Sequence, residues 1–183
     1  KSSKKELMRN MMKTRLYLCL FCICNILLLV GCQNTFQPQK VDRLEIGTVY
    51  QSDGEFKLVE GKRFVRMINE SYFDSEEKLK EFRTDNEDFT FYPNIYFAEG
   101  TYEKVGDDYQ LKILKSVKVE FKNVANIRKK IISTRSIENN PATKYMKLSK
   151  EEGYYTFNKK VPLKTSDQKI PNSVDEFLAQ YQY

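Results

Sequence analysis

IYFAEGTYEKVGDDYQLKILKSVKVEF, residues Ile95 to Phe121, is the densest stretch of aromatic and aliphatic residues beyond the N-terminal fifth of the chain. Gly106-Asp107-Asp108 punctuates it as a turn. After the turn, Tyr109, Leu111 and Ile113 alternate with polar residues, and Val117, Val119 and Phe121 do the same. Side chains alternate across a strand, so each triplet marks the buried face of a half-exposed strand. The triplets predict two strands meeting across a tight connection, and the stretch as a whole predicts antiparallel hairpins.

Upstream, Leu44 to Ile68 carries the same signals. Gly47-Thr48-Val49-Tyr50 leads into Ser52-Asp53-Gly54, and Asp-Gly is a strong hairpin turn. Phe56-Lys57-Leu58 alternates apolar and polar, Glu60-Gly61-Lys62 turns the chain, and Phe64-Val65-Arg66-Met67-Ile68 reads as a third strand. At an offset of 53 residues, Gly47-Thr48…Phe56-x-Leu58 matches Gly100-Thr101…Tyr109-x-Leu111, as two hairpins obeying the same turn chemistry would. Asp74 is the expected N-cap of a helix running to about Arg83, with Glu77 three residues on and Leu79 and Phe82 on one face. An acidic loop, Thr84 to Asp88, follows.

Downstream, Asn123 to Ser133 places Val124, Ile127 and Ile131 at helical spacing, with helix and strand both open. Thr134 to Ala142 is polar and ends in Asn140-Pro141, which predicts a loop. Gly153 to Phe157 reads as a strand, with Val161-Pro162-Leu163 pairing as its edge. Ser173-Val174-Asp175-Glu176 is a capping box opening a C-terminal helix, with Val174, Phe177, Leu178 and Tyr181 on one face. The expected fold is mainly β (a β-rich α+β domain), an antiparallel meander or partly closed barrel with short flanking helices, in one domain over residues 44–183.

Phe97-x-x-Gly100-Thr101-Tyr102 followed by Gly106-Asp107-x-Tyr109-x-Leu111 resembles the F-x-x-G-T-Y…G-D-x-Y-x-L pattern of small lipocalin-like bacterial lipoproteins. That resemblance implies an antiparallel meander or barrel and supplies no ligand residue. The Trp common near the start of lipocalins is absent, as is Trp from the whole chain.

A second resemblance lies at the N-terminus. Leu16 to Cys32, LYLCLFCICNILLLVGC, follows basic Lys13 and Arg15 and closes on Leu29-Val30-Gly31-Cys32. It resembles the signal peptide of a bacterial lipoprotein, whose lipobox ends on a cysteine. In that family a diacylglyceryl group is attached to the cysteine sulfur and a signal peptidase cuts just before it. The resemblance implies cleavage between Gly31 and Cys32, lipidation and palmitoylation at Cys32, and an anchor in the cell membrane or outer membrane on the extracytoplasmic side. A spanning helix needs about 20 apolar residues, and the run from Leu16 to Val30 is shorter. Residues 1–31 are therefore read as a targeting segment, with Met12-Lys13-Thr14-Arg15 as its most compact basic start. Residues 32–43, polar and holding Pro38, are read as the lipidated tether.

Removing residues 1–31 changes the composition. They contain six of the 31 basic and one of the 25 acidic residues, so residues 32–183 carry 25 and 24, a net +1. The overall +6 therefore reports the leader rather than a nucleic-acid surface, and no nucleic-acid partner is expected. Cys19, Cys22 and Cys24 leave with the leader and Cys32 is taken by lipid, so neither a disulfide nor a cysteine metal site is expected. Histidine is absent, which removes the commonest general base and metal ligand.

The remaining candidates for chemistry are modest. From Asp74 to Asp108 there are eleven acids against four bases, and from Tyr109 to Lys169 fifteen bases against five acids. The basic half could face anionic headgroups or an envelope polymer; alternatively the two halves compensate once folded. Asp85-Asn86-Glu87-Asp88 lacks the alternation, central Gly and closing Glu of a calcium loop. Asp107-Asp108 and Glu151-Glu152 read as turn carboxylates. Ser-x-x-Lys at Ser2, Ser75 and Ser166 has no companion motif. Tyr92, Tyr96, Tyr102, Tyr109, Tyr154 and Tyr155 could line a pocket or a sugar-stacking face, or form the half-buried rows of a sheet. The expected role is a binding or interaction module at the cell envelope, without cofactor, metal or catalysis. Its partners would be the membrane through Cys32 and a small apolar ligand, an envelope polymer or a protein. The alternatives are an enzyme modifying an envelope polymer through Asp, Glu, Lys or Tyr, and an assembly or immunity factor acting only through protein contacts.

Overall fold

Strands β1 (Val49–Ser52), β2 (Gly54–Val59) and β3 (Arg63–Glu70) open the fold and helix α1 (Glu76–Asp85) follows them. Then come β4 (Asn94–Val105), β5 (Asp108–Glu120), α2 (Val124–Lys129), β6 (Thr134–Asn139), β7 (Met146–Glu151) and β8 (Tyr154–Phe157). Two short strands, β9 (Val161–Pro162) and β10 (Lys164–Thr165), precede the last helix, α3 (Val174–Leu178). This computed structural model describes residues 40–85, 90–141 and 145–183. The chain is mainly β, as the alternation predicted.

Neighbouring strands pair antiparallel in the order β10-β1-β2-β3-β4-β5-β7-β8-β9, with β6 also against β5. The order is a meander whose two ends are successive halves of one segment. Val161 and Pro162 pair with Phe157 and Thr156 of β8, while Lys164 and Thr165 pair with Gln51 and Tyr50 of β1. The sheet is thereby nearly closed into a barrel. The β1–β2 turn falls at Asp53-Gly54, with Gly54 at φ +91°, a conformation an L side chain rarely adopts.

The pairing of β4 with β5 is the longest, from Asn94 opposite Glu120 to Val105 opposite Asp108. It slips once. Glu99 faces Lys115 and Gly100 faces Ile113, so Leu114 has no partner on β4. One surplus residue reverses the alternation of everything beyond it. Tyr109, Leu111 and Ile113 thus turn into the barrel beside Phe56, Leu58 and Phe64. Val117, Val119 and Phe121 turn to the opposite face, where Phe177 and Ile170 cover them. The two triplets lie along one thirteen-residue strand with a bulge, Phe121 standing just past its end, and the expected tight connection between them does not exist.

The barrel interior is filled by side chains, with Tyr50, Phe56, Leu58, Phe64, Leu148 and Leu163 each at most 2% exposed. Val41 and Leu44 are already part of that cluster, and Val41 O accepts from Tyr155 N at 2.7 Å. The outer layer comes from the C-terminus, where Ser173 Oγ accepts from Glu176 N to start α3. Phe177 then stacks on Phe97 with centroids 4.8 Å apart.

Three local expectations change. Thr134–Asn139 is the strand β6 rather than a loop, held by backbone pairing along the second half of β5 although every residue of it is exposed. The first cap of α1 is Ser75, whose Oγ accepts from Lys78 N, while Asp74 pairs with the Lys78 ammonium at 2.7 Å. Within Asn123–Ser133, where helix and strand are both open by sequence, Val124–Lys129 is the helix α2, capped by Asn123 Oδ1 on Asn126 N.

At the slip a Cβ on Gly100 would stand 1.9 Å from Lys112 O and 2.8 Å from the Phe64 ring. Gly61, by contrast, has open space around its missing Cβ and φ +76°. Gly100→Ala should therefore cost upward of about 2 kcal/mol by forcing two strands apart, and Gly61→Ala about 1 kcal/mol by conformation alone. Denaturant melts of the pair check this; equal losses would show that the strands do not press on each other at the slip.

Candidate functional site

Of the six tyrosines singled out by sequence, three converge. Tyr102 on β4, Tyr109 on β5 and Tyr155 on β8 all point inward at the end of the barrel closed by the β4–β5 turn. Their rings meet at 5.7 Å in both contacts, Tyr102 with Tyr109 and Tyr109 with Tyr155. Tyr155 OH donates to Asp107 O at 2.9 Å. Lysine ammoniums sit over the rings from the rim: Lys104 over Tyr109 at 5.8 Å and Lys150 over Tyr155 at 5.6 Å. Burial raises the phenol of Tyr155 to about 12, with the charges of Tyr109 and Asp107 acting in the same direction. Edge contacts between rings fill this end with aromatic carbon. It is a plug.

The other three tyrosines lie apart. Tyr96 is half-buried in the middle of β4, and Tyr154 is half-buried with Lys40 Nζ 4.4 Å from its ring centroid. Tyr92 is exposed, carries the Arg83 guanidinium at 5.5 Å, and lines a depression of about 250 Å³ with Lys122, Ser133 and Thr134.

The carboxylates named by sequence are placed singly. Asp108 accepts from Lys147 Nζ at 2.7 Å and from Lys150 N at 3.0 Å, and the lysine bond in particular lowers its pKa. Glu151 and Glu152 form the exposed β7–β8 turn, Glu152 at φ +50°. Asp85 ends α1, and the rest of the acidic run, from Asn86 to Asp88, lies outside the described residues, as do Ser2, Gly31 and Cys32. Ser75 caps α1, and Ser166 Oγ accepts from Gln168 N. Among the described residues no three His, Cys, Asp or Glu come together as a metal site. Among the same residues no helix is long and apolar enough to cross a membrane.

The acidic and basic halves of the chain meet in the fold. Glu76 Oε1 accepts from Val124 N and Ala125 N at the start of α2, Arg128 donates to Asp74 O, and Asp108 takes Lys147. These contacts favour mutual compensation over a single basic face.

Two cations stand where alternation pointed to solvent or gave no signal. Arg66 lies inside the barrel, its guanidinium 4.8 Å from the Phe157 ring and donating to Asp53 O at 2.6 Å and Met146 Sδ at 3.4 Å. Desolvation lowers its pKa, opposed by the charge of Asp53. Lys57 is only 7% exposed on the outer face of β2. The one sequence signal for it was a lysine between two core positions, Phe56 and Leu58.

Set against known proteins, the chain matches no protein family, no curated protein and no solved structure.

Because the Tyr155 pKa is raised on folding, its contribution is whole below about pH 10, where neither state ionises, and is lost as pH rises toward about 12. Tyr155→Phe removes the bond to Asp107 and should cost about 1 kcal/mol at neutral pH. It should also lose less than the wild type between neutral pH and about pH 11, because the phenol that must stay protonated is gone. Urea melts at the two pH values compare those losses, and an equal loss in both proteins would clear Tyr155 of the alkaline effect.

Proposed function

We propose that this is an exported protein anchored by lipid at Cys32, whose folded domain works by binding through its outer surface at the cell envelope. The lipobox Leu29-Val30-Gly31-Cys32 supports the anchor. The observation that carries the binding reading is the filled barrel. Tyr50, Phe56, Leu58, Phe64, Leu148 and Leu163 occupy its interior and three tyrosines plug one end, so the barrel is no carrier for an apolar ligand. Contact with a polymer or a protein falls to the outside, where the described depressions lie. Binding is favoured over catalysis because Asp108 is held by Lys147 and Glu151-Glu152 form an exposed turn, whereas acid–base work needs facing carboxylates.

Two measurements test this. Cells fed a clickable palmitate analogue should label the wild type in the membrane fraction, and Cys32→Ala should leave an unlabelled, uncleaved precursor. Processing and labelling of that variant would sink the anchor. The purified full chain in detergent should not take up a fluorescent fatty acid stoichiometrically; uptake that Phe64→Trp blocks would mean the barrel is a carrier after all.

A further inference from the structure

Lys57 sits in a covered layer. Its strand neighbours on the outer face are Val49 and Val65, both buried, and the segment following β10 runs across it. Ser166 N donates to Val49 O at 2.9 Å to start that crossing, and Lys57 Nζ donates to Ile170 O at 2.8 Å to end it. Between the two bonds lies a groove of about 400 Å³ lined by Gly47, Thr48, Lys57, Ser166, Gln168 and Lys169, among others.

The groove's chemistry is one-sided. Two ammoniums, an amide and two hydroxyls line it, and no lining residue is a carboxylate. Lys57 forms no ion pair among the described residues; the charge of Glu176 acts on it, but that carboxylate accepts from Asn172 N and Nδ2, and Glu55, buried two residues earlier on the same face of β2, makes no salt bridge to it. Asp167 is exposed and does not line the groove. A buried ammonium is costly without an opposite charge, and desolvation lowers the pKa of this one. Its bond to Ile170 O uses one of three donors. Ser166 Oγ, accepting from Gln168 N, keeps its own proton to give.

We infer that this groove binds a phosphoryl oxyanion, with Lys57 and Lys169 as its counter-ions and Ser166 and Gln168 as neutral donors. A tetrahedral group with several acceptor oxygens suits four donors arriving from β2 and from one loop, and the groove has room beyond it for whatever the phosphate esterifies. The simplest competing role for Lys57, a clamp on the Ile170 carbonyl, explains the bond but not the second lysine or the lack of a carboxylate. The inference gives the binding reading its ligand class, and it stands or falls independently of Cys32 because the groove is built from residues 47 to 170 alone.

The test is a titration of the ¹⁵N-labelled full chain in non-ionic detergent with inorganic phosphate, against chloride at equal ionic strength. Saturable shifts are expected at the amides of Thr48, Ser166, Gln168 and Lys169. Loss of one charge-assisted bond should weaken binding about tenfold or more in Lys169→Gln and in Lys57→Met. Lys57→Arg should keep binding within a few fold and covers the case in which Lys57→Met does not fold. A parallel arm measures co-sedimentation with phosphatidylcholine vesicles with or without phosphatidate. A preference for phosphatidate lost in Lys169→Gln makes the source a lipid headgroup, and phosphate binding without it makes the source a free phosphate. Absence of saturable shifts, or shifts of equal strength in Lys169→Gln and wild type, overturns the site.

Discussion

The slip between β4 and β5 is the constraint on which both layers depend. Without Leu114 as a surplus residue, the alternation set by Tyr109, Leu111 and Ile113 would carry Val117, Val119 and Phe121 into the barrel. The outer face would then lose the apolar floor on which Phe177 and Tyr181 rest. With the slip, one strand closes the barrel with its first half and floors the C-terminal helix with its second. The local geometry demands Gly100, because Lys112 O passes where a side chain would begin. A glycine inside a strand pattern is the usual sign of a bulge or a close backbone approach. Here it is both.

Gly100 is visible in the sequence, yet the two triplets after it predict a connection that the strand does not have. Both triplets stand in the same phase of the sequence, so one regular strand would put them on one face, and only two strands or one strand carrying an extra residue send them to opposite faces. Hairpin turns announce themselves by Gly and Asp, and none lies between Ile113 and Val117, so the absence of turn chemistry there favours the bulge. The features that were legible are those set by local chemistry: Asp53-Gly54, Gly106-Asp107 and the Ser173 cap all do what their residue types dictate. β6 was not legible because nothing in Thr134–Asn139 alternates. Its strand character comes from the backbone groups that β5 offers on the side β4 does not use.

Lys57 and Arg66 are buried for different reasons. In an antiparallel sheet with one wet face, the polar phase of an alternating strand reports solvent. In this protein the outer face of β2 and β3 is covered as well, so the polar phase places a lysine under the C-terminal crossing. Arg66, in the inward phase of β3, meets Met146 and Phe157 instead of solvent. Lys57 keeps to the alternation rule beneath an added layer, whereas Arg66 departs from it as a cation in the inward phase of β3. Coverage depends on residues about a hundred positions away, such as Ile170, and no local window contains them. The tyrosine plug illustrates the complementary case. Tyr102, Tyr109 and Tyr155 were each readable as core-facing, but their meeting depends on β7 and β8 closing against the first half of β5.

Closure of the barrel and the cover over Lys57 come from consecutive residues of the chain. The seam consists of β9 and β10, two residues each, with Leu163 between them pointing into the core at 1% exposure. Two paired positions hold it on each side, against three between β5 and β7 and twelve along β4 and β5, so these are the shortest pairings of the barrel. The residue after β10, Ser166, begins the crossing that ends at Ile170 over Lys57. If the seam parts, Ser166 leaves Val49, Ile170 leaves Lys57, and the ammonium returns to water. A charge lodged against Lys57 and Lys169 would join β2 to the crossing segment, and would by mass action favour the closed seam. The seam, which ends at Thr165, thus runs straight into the five residues from Ser166 to Ile170, four of which line the groove of Lys57 and Lys169.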